Sequence, residues 1–335
     1  MHVFACEWLS QLRAWYERRR EYQRPLIYRV ATTANYQRLR AEVEEWVPQL
    51  PKGNQKNFIA RLREDEHCLE TYHELVVWNI LRARGFIPEY EKPIHDVTPD
   101  WYVPAKGNIP AFIVEVLTKN PSDKKSARQR QIKDLRGRIE QIPVGASIGF
   151  DLYRAQCDFS PPNNKKIAVD LKRWLETENP PVGAAICLEG MTFSVLDRTT
   201  ALSTVQTCYA EADRVDVSSL SHQIDKKVDR YKDAAVAARL PFVVALVADF
   251  FTGLTLHSLL SVLYGARALD EVLGKFPRQI LESPPAKTND GLFWRAPALT
   301  AAAWIDRDIS GQWMMIAYHN PTAANPLAID AFGGV

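Results

Sequence analysis

The sequence predicts an α/β protein in which helices cover one central sheet. Amphipathic helical patterns alternate with short strand-like runs along most of the chain, which is typical of this class. Residues 242–248 (FVVALVA) are apolar throughout, as expected for a central strand of a parallel sheet. Hydrophobic residues make up 46% of the chain and charged residues 24%, which indicates a globular protein rather than a disordered one.

The first part of the chain is predicted to be helical. Two amphipathic patterns cover residues 8–22 and 35–47, and a third runs from residue 54 to about residue 65. A longer helix begins near residue 68 and stops at Gly85, a residue type that commonly ends helices. We therefore expect residues 1–66 to form an N-terminal helical appendage.

The middle of the chain contains most of the predicted strands, and we expect residues 67–250 to form the core domain. Strand-like runs bounded by turn residues lie at 86–94, 99–103, 111–118, 147–155 and 191–197. Helices are predicted at 123–141, 167–178 and 219–239. We expect residues 251–335 to form a helical and irregular extension packed on the core, with one strand candidate at 312–318.

The composition argues against several classes of protein. A net charge of +2 means that any nucleic-acid contact needs a local basic surface. The five cysteines are odd in number and lack metal-ligand spacing, which favours reduced thiols in the cytoplasm. No apolar run reaches the roughly 18 residues of a membrane span, and no P-loop, GxGxxG or GxSxG motif is present. We expect a cytoplasmic protein without a membrane partner.

Four acidic residues form the most informative pattern. Glu70 and Glu74 share one face of a predicted helix, Asp100 opens a strand, and Glu115 lies inside the apolar strand FIVEVLT. Carboxylates are rare in strands and costly to bury unpaired, and an acid inside an apolar strand commonly has a cation beside it. That cation is either a neighbouring Lys or Arg, or a hard metal ion such as Mg²⁺ bound between Asp100 and Glu115.

A helix, a hairpin, Pro99-Asp100 and then an acid on the next strand resemble the PD-(D/E)xK nuclease superfamily. The motifs cover roughly residues 68–119, and the likeness of fold would extend to about residue 248. Later blocks, including IDKKVDRYKDAAVAARLPFVVALV and YHNPTAANPL, are similar to a bacterial group within this superfamily whose own function is inferred.

The resemblance implies a restriction-endonuclease-like mixed sheet flanked by helices. It also implies a metal-dependent endonuclease that uses Mg²⁺ or Mn²⁺ to cut nucleic acid, with DNA favoured, in phage defence or DNA repair. Asp100 and Glu115 would bind the metal, the main-chain carbonyl of Val116 would be a further ligand, and Glu74, less securely Glu70, would join them. A homodimer or a partner subunit is left open.

The sequence departs from the motif at the catalytic lysine, because Leu117 stands two residues after Glu115. Lys119 shares the face of Glu115 but lies about 13 Å along the strand. Lys227, on a predicted helix, is the preferred replacement for the catalytic lysine. If neither lysine acts, the domain would be a catalytically silent nuclease-like module that binds nucleic acid or protein.

A basic segment follows the strand that carries Glu115. Residues 124–138 contain seven Lys or Arg residues against one Asp, which suits phosphate neutralisation but also an ordinary solvated helix. We expect the segment to bind nucleic acid through Lys124, Lys125, Arg128, Arg130 and Lys133.

Overall fold

The chain divides into two compact units in a computed structural model that describes residues 2–17, 25–118, 134–150, 163–198, 204–207, 217–248 and 254–332. The first unit consists of Met1–Asn120 together with Asp213–Val335, and the second is Pro121–Ala212. These units differ from the expected division at residues 66 and 250. The expectation of one central sheet is wrong, since each unit has a sheet of its own.

The first unit is a mixed α/β structure whose six-stranded sheet is flanked by helices. Its strands are β1 (Glu89–Tyr90), β2 (Trp101–Val103), β3 (Phe112–Leu117), β8 (Phe242–Val247), β9 (Leu299–Arg307) and β10 (Trp313–His319). They lie in the order β1-β2-β3-β8-β9-β10. The pairs β1–β2, β2–β3 and β9–β10 are antiparallel, whereas β3–β8 and β8–β9 are parallel. The all-apolar run 242–248 thus supplies a central parallel strand, as predicted.

Helices occupy most of the rest of the first unit. They are α1 (Cys6–Tyr16), α2 (Leu26–Thr32), α3 (Gln37–Trp46), α4 (Lys52–Leu62), α5 (Cys68–Ala83), α7 (Val217–Ala237), α8 (Leu256–Tyr264), α9 (Leu269–Val272), α10 (Pro277–Glu282) and α11 (Leu292–Arg295). Helix α5 ends just before Gly85, whose φ of 77° is a conformation that glycine adopts without strain. None of the described helices combines the length and the apolar character that a membrane crossing requires.

Alternate residues of the sheet face two separate hydrophobic cores. On β3, Val114 and Val116 share one core with α5, whereas Ile113 and Leu117 share the other with α7. This follows from the two-residue period of strand side chains. Glu115 lies between Val114 and Val116, so its side chain belongs to the α7 face of the sheet.

The N-terminal helices are part of the core on the α5 face. Val30, Val43 and Phe58 are buried in the same cluster as Leu75 of α5 and Val243 of the central strand. The structure therefore integrates this region into the first unit and does not set it apart as an appendage.

The C-terminal part of the chain supplies two strands to the sheet. Strand β10 was predicted from its sequence, but β9 was missed. The first seven residues of β9 are buried, and Ala301 and Ala303 face one core while Ala302 faces the other. Alanine has a weak preference for strands, so the sequence of this segment alone does not predict a strand. Packing against the neighbouring strands makes it one.

The second unit is a smaller α/β structure. Its sheet contains β4 (Ala146–Phe150), β5 (Ala185–Leu188), β6 (Met191–Arg198) and β7 (Thr204–Thr207), in the order β5-β6-β4-β7. Helix α6 (Asn164–Thr177) packs against it through Ile167, Leu171 and Trp174. Residues 134–139 are also helical, which agrees with the end of the basic helix predicted at 123–141.

Candidate active site

Asp100, the residue before β2, lies opposite Glu115 of the neighbouring strand β3. Trp101 pairs with Val114, so the residue before β2 falls beside Glu115. The main-chain N–H of Asp100 donates to Oε1 of Glu115 at 3.0 Å, and the N–H of Val116 donates to Oδ2 of Asp100 at 2.7 Å. Each carboxylate therefore accepts a hydrogen bond from a backbone N–H of the segment paired with its own, and these bonds keep the two carboxylates close together.

Lys227 of α7 completes this cluster. Its Nζ donates to Oε2 of Glu115 at 2.5 Å. The Glu115 side chain is only 1% exposed, whereas the Lys227 side chain is 27% exposed. Both oxygens of Glu115 therefore have partners, and the ammonium group stands between the buried acid and solvent.

The electrostatic environment acts in opposite directions on the acid and the lysine. Burial, followed by the negative charges of Glu115 and Glu74, raises the pKa of Asp100 to about 8, against the opposing effects of Lys227 and the Val116 N–H. Burial alone would lower the pKa of Lys227, but Glu115 and Asp100 overcome this and raise it. The site thus favours the charged form of Lys227 and the neutral form of Asp100.

Tyr231 is a fourth member of the cluster that the sequence analysis missed. It lies one helical turn after Lys227, and its hydroxyl donates to the main-chain oxygen of Thr98 at 2.8 Å. Burial raises the pKa of this phenol, and the negative charge of Glu115 raises it further. The four-residue spacing from Lys227 was the signal that could have found it.

Glu74 is held by a different partner on the α5 face of the sheet. The Arg61 guanidinium of α4 donates to Oε2 and Oε1 of Glu74 at 2.8 and 2.7 Å. The Tyr90 hydroxyl also donates to Oε2 at 3.1 Å. Burial raises the pKa of Glu74, and Arg61 opposes this shift. Sequence reasoning did not find Arg61, because no local pattern connects it to the acid.

Glu70 is paired with a neighbouring histidine. Its carboxylate is 3.5 Å from Nδ1 of His67, at the start of the same helix. Leu117 occupies the motif's lysine position and is 6% exposed, packed in the core that includes α7. Lys119 and the predicted nucleic-acid-binding residues lie outside the described residues; the latter are Lys124, Lys125, Arg128, Arg130 and Lys133.

Asp100 and Glu115 fit a Mg²⁺ or Mn²⁺ site by donor type. Mg²⁺ is commonly bound by one or two carboxylates and completes its shell with water and substrate oxygens. Within the described residues, Oδ2 of Asp100 accepts a hydrogen bond and Oδ1 accepts none. The same residues contain no group of three or more His, Cys, Asp or Glu that could hold a metal ion. Water, substrate and main-chain oxygens, including the predicted Val116 carbonyl, would have to complete the shell.

Comparison of the chain with protein-family models, curated proteins and solved structures gives no match in any of the three.

Proposed function

We propose that the first unit is a metal-dependent nuclease that hydrolyses phosphodiester bonds, with DNA as the favoured substrate. The observation that carries the proposal is the fixed pair of carboxylates, one just before β2 and one within β3, with a lysine ammonium 2.5 Å from the second of them. Two acids and a lysine are the groups that the PD-(D/E)xK motif combines. Lys227 supplies a cation that Leu117 cannot.

The order of elements supports the same proposal. Helix α5 is followed by the antiparallel strands β1, β2 and β3, with Asp100 before β2 and Glu115 within β3. This is the succession of helix, hairpin, Pro-Asp and acidic strand on which the resemblance rests. We therefore propose that the sheet of the first unit is restriction-endonuclease-like.

The charges of the site also favour a cation-binding role. Burial and, after it, the negative charges of Glu115 and Glu74 raise the pKa of Asp100, so an ionised Asp100 lowers the stability of the protein without a bound cation. A bound Mg²⁺ or Mn²⁺ would activate water and offset charge on the attacked phosphate. Asp100 and Glu115 would hold the cation, and Lys227 would donate a hydrogen bond to the water or to a phosphate oxygen as charge develops there.

A cleavage assay on the full chain tests the proposal. Supercoiled, linear and single-stranded DNA and RNA are incubated with Mg²⁺, Mn²⁺ or EDTA, and the products are resolved on gels. We expect cleavage with the metals and none with EDTA. Asp100→Asn and Glu115→Gln should abolish it, whereas Asp96→Asn, an exposed acid in the same loop, should not. Absence of cleavage on every substrate would contradict the nuclease proposal.

A catalytically silent nuclease-like module is the second candidate. The observation that favours it is that Lys227 and the Asp100 N–H together occupy both oxygens of Glu115, as in a purely structural ion pair. In that case the chain would bind nucleic acid with the same affinity in Mn²⁺ and in EDTA. Asp100→Asn would then leave that affinity unchanged.

A further inference from the structure

We propose that Tyr231 is a positioning residue that holds the segment carrying Asp100 in the arrangement a metal ion needs. The inference rests on the proposed nuclease function and extends it to a residue outside the motif. It is carried by the hydrogen bond from the Tyr231 hydroxyl to the turn that leads into Asp100.

The contacts of Tyr231 reach the segment that leads into Asp100. Its hydroxyl donates to the carbonyl of Thr98, two residues before Asp100, at 2.8 Å. This hydrogen bond ties the turn that carries the first acid to helix α7, which also carries Lys227.

The position of Tyr231 is itself tightly determined. The residue is 1% exposed, and its ring packs on Phe242 of the central strand with 5.5 Å between ring centroids. Ile224 and Val228 of the same helix lie in the same core. Because residues four apart share a helix face, α7 delivers the Lys227 ammonium and the Tyr231 phenol together.

Residues that orient metal ligands affect how tightly the metal ion binds and how fast the reaction proceeds. Loss of such a partner typically reduces metal affinity or activity by about 10- to 100-fold, because the ligands spend less time in the binding geometry. A phenol that merely satisfied a buried carbonyl would affect folding stability without this effect on metal binding. Metal affinity therefore separates the two roles.

The test compares the wild-type chain with Tyr231→Phe and with a matched control, Tyr264→Phe. Tyr264 is also 1% exposed, lies in the same core and packs on a phenylalanine, Phe293, at 5.2 Å. Three quantities are measured: Mn²⁺ affinity by calorimetric titration without DNA, kcat and KM for DNA cleavage at saturating Mn²⁺, and the Tm of the metal-free protein.

We expect Tyr231→Phe to weaken Mn²⁺ affinity, or to lower kcat, by about 10- to 100-fold while KM for DNA stays near the wild-type value. Tyr264→Phe should leave both affinity and kcat unchanged. If the Mn²⁺ affinity and the kcat of Tyr231→Phe both lie within twofold of the wild-type values, this inference is overturned while the proposed function stands. A wild-type chain that binds no Mn²⁺ and cuts no nucleic acid would overturn the proposed function, and this inference with it.

A Tm of Tyr231→Phe far below that of Tyr264→Phe would call for a second measurement at a temperature where both variants are folded. Under those conditions, the Mn²⁺ affinity of Tyr231→Phe is compared with that of Tyr231→Phe/Asp100→Asn and of Asp100→Asn. Positioning through the Asp100 segment predicts that the two substitutions are not additive. Additive losses would overturn the inference.

Discussion

The Nζ atom of Lys227 lies 2.5 Å from Oε2 of Glu115, although 112 residues separate them in the chain. Such a pair fulfils two requirements at once. It neutralises a carboxylate that is almost fully buried, and it places a cation at the candidate catalytic site, where the sequence has Leu117 instead of lysine. Substitutions of Lys227 and of the residues around it can separate these roles.

Lys227→Met should reduce kcat for DNA cleavage by about 100- to 1000-fold, because a donor to developing negative charge is lost. KM should change little, since the amine would act mainly in the transition state. Steady-state cleavage assays measure both constants. Lys232→Met, which removes a more exposed lysine of the same helix, is the control. Unchanged kcat in the Lys227 variant would show that its role is confined to the ion pair.

The stability of the metal-free protein should fall as pH rises through the pKa of Asp100. A folded-state pKa of about 8, raised from 3.8, means that the proton is bound more tightly in the folded protein. The resulting stabilisation is complete below about pH 4 and is lost as pH approaches and passes 8.

Urea unfolding of wild type and Asp100→Asn from pH 5 to pH 9 measures this effect. The wild type should lose on the order of a few kcal/mol relative to the variant over this range. Mn²⁺ should reverse the loss in the wild type only. A pH-independent difference between the two proteins would place the pKa of Asp100 near its ordinary value.

Arg61→Met should lower the free energy of unfolding by about 3–5 kcal/mol, because it leaves the buried Glu74 carboxylate without its partner. The double variant Arg61→Met/Glu74→Gln should recover part of the loss. Chemical denaturation measures both. Mn²⁺ should stabilise Arg61→Met more than the double variant if Glu74 is a metal ligand as predicted. Equal stabilisation would assign Glu74 to the ion pair alone.

The predicted basic segment should bind phosphates without regard to base sequence. Replacing Arg128, Arg130 and Lys133 with Gln should weaken DNA binding and flatten the slope of log affinity against log salt by about one unit per lost contact. Fluorescence anisotropy at several salt concentrations measures this. Replacement of Lys165 and Lys172, exposed lysines of α6, provides the control. If the α6 substitutions weaken DNA binding as much as those in the basic segment, DNA affinity depends on the overall charge of the protein and not on this segment.

The strongly apolar elements could be predicted from the sequence because buried segments are rich in hydrophobic residues. Strands β3 and β8 and the helix that precedes β8 were found near their observed bounds. The acid inside β3 also predicted a nearby cation, and Lys227 is that partner in the structure. Whether the lysine also serves catalysis stays a prediction.

What escaped prediction depends on contacts between distant segments. Arg61 lies on α4, whereas its partner Glu74 lies on α5. The hydroxyl of Tyr231, on α7, donates to the carbonyl of Thr98, which lies in the loop before β2. Strand β9 depends on its neighbours, since its alanines carry little preference of their own. The division into two units was missed because strands of the second sheet have the same local pattern as those of the first.

The insertion of the second unit between β3 and α7 has a consequence for how the protein is made. The Asp100 and Glu115 strands are close in sequence, so they can pair early in synthesis. Ile113 pairs with Phe242 only after the whole of residues 121–212 has left the ribosome. Pairing between segments so distant in the chain is slower than pairing between neighbours. We therefore expect the nascent chain to carry Glu115 uncompensated until Lys227 emerges, so that the acid cluster is completed only after the second unit has been synthesised.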